Sequence, residues 1–316
     1  MRIAVFGSGA VGGYFGGRLA EAGEDVAFIA RGEHLAAIRR SGLKVASLDG
    51  DFVVHPAQAT DDPATLGPVD VVLVGVKAWQ VSEAAEAMRP LVGRGTIVVP
   101  LQNGIEAPER LAEALGAEHV LGGLCRIIGY VVAPGQIQHA GAEPYIAFGS
   151  LHASSDGRAE ALRAAFGRSR GVLAEIPSDI RAAMWTKFLF IAALSGVGAL
   201  SRAPVGIIRG QPESRHLLHE ALVEIGEVAV GNGIVLSPDV VEQTLGYVDS
   251  LPPEGTTSMQ RDIIHGRPSE LDAQVGAVVR LGERAGVPTP LHRIILAALL
   301  PLERESRGEL EFMVPA

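Results

Sequence analysis

Several short stretches of this 316-residue chain gather residue types that bind phosphate or move a proton. Gly7-Ser8-Gly9-Ala10-Val11-Gly12 is a G-x-G-x-x-G pattern. It grips a dinucleotide when it follows a strand and opens a helix. Gly7 then makes the tight turn, Gly9 lets backbone N–H groups reach a pyrophosphate, and Gly12 permits close helix–strand packing. The helix N-terminus adds a field that favours phosphate. With 39 glycines in the chain the pattern alone is weak, and its context carries the reading. At the end of the next apolar run, where an NAD site commonly has Asp or Glu, stands Arg31. A guanidinium there suits a ribose 2′-phosphate and favours NADP(H) over NAD(H). Glu33 and His34 lie close by, and an Arg31 that simply faces solvent is the plainer alternative.

Gly75-Val76-Lys77-Ala78-Trp79 ends a second apolar run, and open α/β sheets collect their ligands at such strand ends. Lys77 either meets a cofactor phosphate or ribose there or is an ordinary surface lysine. Asn103-Gly104, after the next run, is a turn signal in any protein, and its position also lets Asn103 reach a nicotinamide ribose or a substrate. Lys187 is the one basic residue of the apolar stretch 184–191. It either snorkels to solvent or faces a dry cleft, where its pKa falls toward a useful acid–base range. Ser258 and Asp262 share a face only if their stretch is helical. Ser269 either caps a following helix, with Glu270 merely decorating its first turn, or stands with Glu270 in a functional cluster, and spacing alone does not settle which.

These residues need elements to hold them. The pattern predicts a strand over 2–6, a helix over 10–22, a strand over 25–30 and a helix over 34–41. Asp49-Gly50 predicts a short antiparallel excursion within 43–55. The β-branched run 69–76 reads as a strand buried on both faces. A helix over 81–91, a strand over 96–100, a helix over 108–115 and a strand over 120–130 follow, the last containing Cys125. Residues 136–140 and 145–148 read as a hairpin or sheet edge around Gly141, and Ser154-Ser155-Asp156-Gly157 as an ordinary turn. The alternation predicts an α/β domain with a mostly parallel sheet over 1–177. Beyond it, helical stretches at 180–200, 213–231, 238–248, 270–285 and 290–303 predict a mainly helical domain over 178–316.

Composition sets outer limits. At 47% hydrophobic and 20% charged the chain has ample material for a core, which excludes a disordered or disulfide-stapled protein. The balance of 27 Lys+Arg against 36 Asp+Glu, a net −9, disfavours nucleic acid and anionic membranes as partners while leaving room for a local basic pocket. A single cysteine forms no internal disulfide and is compatible with a reducing compartment. The opening apolar run is too short for a signal peptide. The longest near-apolar stretch, 188–200, falls short of the roughly 18–20 residues that span a bilayer. A cytoplasmic location is expected. The scattered His and acidic residues suggest no metal site, and a homodimer is compatible with the helical domain although no motif displays it.

Together, the glycine motif with Arg31, Val76-Lys77, Leu101-Gln102-Asn103-Gly104, Trp185-Thr186-Lys187 and the run from Thr257-Ser258-Met259 through Asp262 to Glu270 resemble the ketopantoate reductase (2-dehydropantoate 2-reductase) family over almost the full chain. The resemblance implies a Rossmann-type α/β N-terminal domain, an all-helical C-terminal domain and an active cleft between them. It also implies NADPH-dependent reduction of a small 2-oxo acid, with ketopantoate to pantoate, a step of pantothenate biosynthesis, as the leading pair. Lys187 matches the catalytic lysine that protonates the ketone oxygen. Glu270 matches the acid at the reacting oxygen, and Asn103 the asparagine that organises cofactor and substrate. Ser258 matches a substrate-carboxylate contact and Asp262 an acidic partner in the same segment. The cofactor set is then Gly7, Ser8, Gly9, Ala10, Val11, Gly12, Arg31, Lys77, Asn103 and Glu270. The substrate set is Lys187, Ile191, Ser195, Ser258 and Asp262.

Two positions and one three-residue segment depart from the family pattern. Ile191 and Ser195 stand where family members that reduce ketopantoate commonly carry asparagines, and Gln274-Val275-Gly276 replaces a familiar Ile-Asn-Gly. Loss of polar partners weakens discrimination for one substrate, and Ile191 suits a larger or more apolar 2-oxo acid. Two alternatives therefore stay open. One is an oxidoreductase of the same fold acting on another 2-oxo or 2-hydroxy acid or carbonyl compound. The other is a non-catalytic NADP(H)-binding protein.

Overall fold

The computed structural model describes residues 1–152 and 157–311, so the turn expected at Ser154-Ser155-Asp156 lies outside the described residues. The first part of the chain runs β1 (Arg2–Phe6), α1 (Ala10–Glu21), β2 (Asp25–Ile29), α2 (Gly32–Ser41), β3 (Leu43–Ala46), β4 (Phe52–Val54), β5 (Gln58–Thr60), β6 (Val71–Val74), α3 (Val81–Ala87), β7 (Ile97–Pro100), α4 (Ala107–Leu115), β8 (Leu121–Ala133), β9 (Gln136–Ser150), α5 (Gly157–Phe166) and β10 (Leu173–Glu175). The second part is helical: α6 (Ile180–Ser201), α7 (Val205–Gly210), α8 (Pro212–Gly231), α9 (Val240–Ser250), α10 (Ser258–Ile264), α11 (Ala277–Ala285) and α12 (Pro290–Ser306). The architecture is a Rossmann-like α/β part followed by an all-helical one.

A five-stranded sheet in the order β5-β2-β1-β6-β7 is parallel throughout. The order reverses at β1, which is the kind of place where doubly wound sheets take their ligands. Strand residues alternate between two faces, and so build two cores. Ile3, Val5, Val26, Phe28, Leu73 and Val99 pack with Tyr14, Phe15 and Leu19 of α1. Ala4, Phe6, Ile29, Val72, Val74 and Val98 pack instead with Val81, Ala84 and Ala85 of α3 and Leu111 of α4.

A second, mixed sheet has the order β10-β9-β3-β4, with β8 paired to β9. Here the structure corrects the reading of 136–148. The expected hairpin around Gly141 is one continuous strand of 15 residues, which runs antiparallel to β8 from Leu121↔Ser150 to Ala133↔Gln136. Irregular register near Gly141 and a positive φ at Ala142 produce the break in alternation that mimicked a turn. The antiparallel excursion within 43–55 is β3 with β4, and it joins this second sheet.

Packing divides the chain into two compact units, Met1–Gln102 with Ala107–Arg181, and Asn103–Glu106 with the chain from Ala182 onward. The change thus falls at 181/182, beside the 177/178 read from the sequence. Four residues after β7 belong to the helical unit, which no sequence pattern indicated. Within that unit α6 is 22 residues long and is apolar enough, by length and composition, to cross a membrane. Its apolar residues have another use, since 67% of that window is buried inside the protein. Phe188, Leu189, Ala192, Ala193 and Val197 form the centre of the helical core, with Leu218, Leu222, Ile225 and Val228 of α8 against them. A helix hydrophobic on all sides is a helix surrounded by others.

Candidate active site

In the first unit the glycine turn has the geometry its residue types demand. Gly7 has φ +96°, and a methyl group there would lie 2.7 Å from the backbone nitrogen of Val76. At Gly12 a methyl would lie 2.2 Å from the Gly7 carbonyl oxygen, whereas around Gly9 nothing lies within 4 Å. The turn is therefore packed on its protein side and open on the side where a pyrophosphate would approach. No side chain caps α1, and its first-turn N–H groups have no intrahelical partners. These features fit a dinucleotide phosphate.

Ser8 plays a narrower part than its place in the motif implies. It is buried, and both its Oγ (3.0 Å) and its N–H (3.2 Å) donate to the carbonyl of Ile29, so it fastens the turn to β2. His34, which no pattern singled out, completes the anchor. Its Nδ1 accepts from the Gly135 N–H at 3.1 Å, which makes Nε2 the protonated nitrogen that donates to the Ser8 carbonyl at 2.8 Å.

Arg31 precedes α2 at the end of β2, with its side chain exposed and Nη2 3.2 Å from Glu83 Oε1 on α3. Lys77 is exposed just past β6, its ammonium 5.7 Å from the centre of the Trp79 ring. Gln102 was overlooked as an organiser. Its buried amide donates to the carbonyls of Val74 (2.8 Å) and Val76 (3.0 Å), which ties the end of β7 to the end of β6 and fixes where Asn103 begins.

The remaining candidates all belong to the helical unit: Asn103, Lys187, Ile191, Ser195, Ser258, Asp262 and Glu270. Lys187, Ile191 and Ser195 fall four apart on α6 and so line one face. Lys187 is half-buried and makes no hydrogen bond or ion pair among the described residues. Ser195 is fully buried and its hydroxyl has no partner among them. Stretch 258–264 is helical, so Ser258 and Asp262 do share a face, and Arg267 donates to Asp262 Oδ1 from Nε at 3.0 Å. Ser269 does cap, accepting from the Leu271 N–H at 3.2 Å while its own hydroxyl donates to Glu303 at 2.5 Å. Glu270 is nonetheless no solvated decoration, for it is only 6% exposed.

After Glu270 the helix opens into one π turn, Asp272–Gly276, leading into α11. Such turns insert a residue and recur at functional sites. Two other segments meet this one. A methyl at Gly196 of α6 would lie 3.3 Å from Val275, and a methyl at Gly104 (φ +126°) 2.8 Å from the Ala273 carbonyl oxygen. The helix bearing Lys187, the loop bearing Asn103 and the turn after Glu270 are thus in close contact. Gln274 within the turn is fully buried, and neither amide atom has a partner among the described residues. Arg280 of α11 donates to Glu106 Oε2 at 2.7 Å and to Asp272 Oδ1 at 2.6 Å. Burial opposes its charge, but the two carboxylates more than offset that and hold the guanidinium pKa above its usual value.

A glycine turn that opens α1 beside the reversal of a doubly wound parallel sheet, in a chain that also carries an all-helical unit, is the architecture of a dinucleotide-binding protein. Residues 3–153 match the family described as ketopantoate reductase PanE/ApbA, and residues 179–303 match its C-terminal family. The chain belongs to the ketopantoate reductase family. It is 32% identical to the uncharacterized oxidoreductase YkpB of Bacillus subtilis, over 96% of this chain and 100% of that one. A 2-dehydropantoate 2-reductase of Mesorhizobium japonicum is 30% identical, over 96% and 98% of the two chains. The crystal structure of 2-dehydropantoate 2-reductase from Geobacter metallireducens superposes with a TM-score of 0.88 at 33% identity, covering 97% of this chain and 100% of that one.

Proposed function

We propose that this protein reduces a small 2-oxo acid to the 2-hydroxy acid with NADPH, ketopantoate to pantoate being the leading pair. The observation that carries the reading is Lys187, a half-buried ammonium with no partner among the described residues, in the same unit as buried Glu270.

NADPH, when bound, would supply the hydride that the carbonyl carbon needs. Negative charge then develops on the carbonyl oxygen, where Lys187 stabilises it and donates the proton that completes the hydroxyl. Glu270 orients that hydroxyl and the ammonium. Asn103, whose side chain makes no hydrogen bond among the described residues, has its amide available for the nicotinamide ribose or the substrate. Ser258, at the first position of α10, offers its hydroxyl and the helix N-terminal field to the substrate carboxylate. Arg31 holds the 2′-phosphate and the first turn of α1 the pyrophosphate. The protein is read as cytoplasmic and as acting on small molecules rather than on nucleic acid or membranes.

Ile191 favours a second reading of the same site, in which a 2-oxo or 2-hydroxy acid with a bulkier apolar side chain is the substrate. Its branched alkyl group lies one turn along α6 from Lys187, where an amide would have served a hydroxylated acid. The test is NADPH oxidation by the purified protein against ketopantoate and a panel of branched and aromatic 2-oxo acids, with the reverse reaction on the 2-hydroxy acids. Turnover confined to another acid replaces the substrate. Cofactor binding with no turnover of any carbonyl replaces the enzyme with a binding protein.

A further inference from the structure

The four residues Asn103–Glu106 leave the parallel sheet and pack with the helical unit. So short an excursion cannot hold itself in place, because fixing its backbone costs conformational entropy that four residues do not recover by themselves. Contacts with the helical unit do the holding. Gly104 lies flat against the Ala273 carbonyl, Ile105 packs against the helical core, and Glu106, only 9% exposed in its side chain, receives Arg280. Arg280 reaches Glu106 with two nitrogens, Nη2 at 2.7 Å and Nε at 3.3 Å. It also reaches the Asp272 carboxylate at 2.6 Å and the Asp272 carbonyl at 3.0 Å. One planar guanidinium therefore joins the loop that starts at Asn103 to the π turn that follows Glu270.

We propose that Arg280 is a positioning residue for the reaction, acting through Asn103 and the turn after Glu270 rather than on the substrate. The proposal rests on the reading above, that Asn103 and Glu270 serve the chemistry. Its physical basis is twofold. Arg280 bridges the carboxylates of Glu106 and Asp272, whereas Arg284 approaches Glu106 only, at 3.9 Å, so without Arg280 the bridge between the two segments is lost. The bridging pattern also needs a fork of donors in fixed geometry, which a lysine's single point charge does not reproduce. A reacting group moved by about 1 Å can cost on the order of a hundredfold in rate. Loosening the loop is therefore felt at Asn103 three residues away.

The test compares Arg280→Met, Arg280→Lys and Glu106→Gln with the parent enzyme, alone and in an Asn103→Ala background. Arg280→Met is expected to lower kcat about 10- to 100-fold with the affinity for NADPH nearly unchanged, since the reading puts the nucleotide phosphates on the other unit. Lysine restores only part of the loss. In the Asn103→Ala background the same change costs less than in the parent, because one of its two routes to the chemistry is already gone and only the turn after Glu270 still transmits it. Glu106→Gln keeps the size and an acceptor, so it gives a folded variant if Arg280→Met does not fold, and it shows a smaller loss with the same dependence on Asn103. Full additivity with Asn103→Ala, or unchanged kcat in folded variants, overturns the proposal. An Asn103→Ala enzyme as active as the parent instead removes the reading on which it rests.

Discussion

Two charged residues carry the sharpest expectations, and their surroundings differ. Lys187 spends its ammonium on no partner among the described residues, so removing it leaves little of the fold to repair. Lys187→Ala is expected to lower turnover about 10²- to 10⁴-fold, the usual worth of a positioned general acid, with NADPH binding intact. Parent-level turnover in that variant would mark the lysine as structural. Arg31 pairs with Glu83 through an exposed ion pair, so on the proposed reading a 2′-phosphate would have to displace a carboxylate and tolerate it nearby. Arg31→Ala should weaken NADPH about ten- to a hundredfold and NADH far less. Glu83→Gln should move the other way, tightening NADPH by up to about fivefold, because an exposed pair is worth at most about 1 kcal/mol. Titration of both cofactors against both variants decides this, and equal effects on NADH and NADPH would exclude a phosphate clamp. Arg31 could be read from its place at a strand end. Glu83 could not, since its pairing comes only from how α2 and α3 lie on the sheet.

Among the elements, α12 shows how this protein starts a helix without a local cap. Thr289 makes no side-chain capping bond and Pro290 occupies the first turn. The carboxylate of Glu224 on α8 accepts from the N–H groups of Leu291 at 2.7 Å and His292 at 3.1 Å, and from His292 Nδ1 at 2.7 Å. Burial pushes the Glu224 pKa up, but these donors outweigh it and hold the carboxyl below its ordinary 4.5. A carboxyl whose folded pKa is depressed contributes stability above the ordinary value and loses it as pH falls through the folded one. Glu224→Gln should therefore cost about 1–3 kcal/mol at neutral pH, and its deficit against the parent should shrink below pH 4.5. Parallel curves of Tm against pH would defeat this. Most elements were legible because period and punctuation agree with their final burial, as in the β-branched run of β6. The π turn and the unbroken β9 were not. A π turn has no period of its own, and the irregularity in β9 looks like a turn in one dimension. Only its pairing with β8 shows the strand to be continuous.

At the scale of the whole molecule, the α/β-to-helical change was visible because the two halves bury their apolar residues with different periods. The membership of Asn103–Glu106 was invisible, because it depends on Arg280, 174 residues further along the chain from Glu106. The lysine, the asparagine and the glutamate could be picked out by type, but the contacts that gather their segments run through Gly196, which has to be small, and Gly104, which has to be small and also adopts φ +126°. The excursion of those four residues bears on how such proteins can be cut and recombined. The halves are not separable cassettes. A gene fragment from Ala182 onward lacks the loop, leaving Arg280 with Asp272 alone and the place of Ile105 in the core unfilled. That fragment should unfold at a lower temperature than one carrying a grafted Asn103–Glu106 segment, and equal melting would show the segment to be a passenger. A chimera exchanging helical units between relatives has to carry the four residues along, so the working seam in this sequence has two places where it must be stitched.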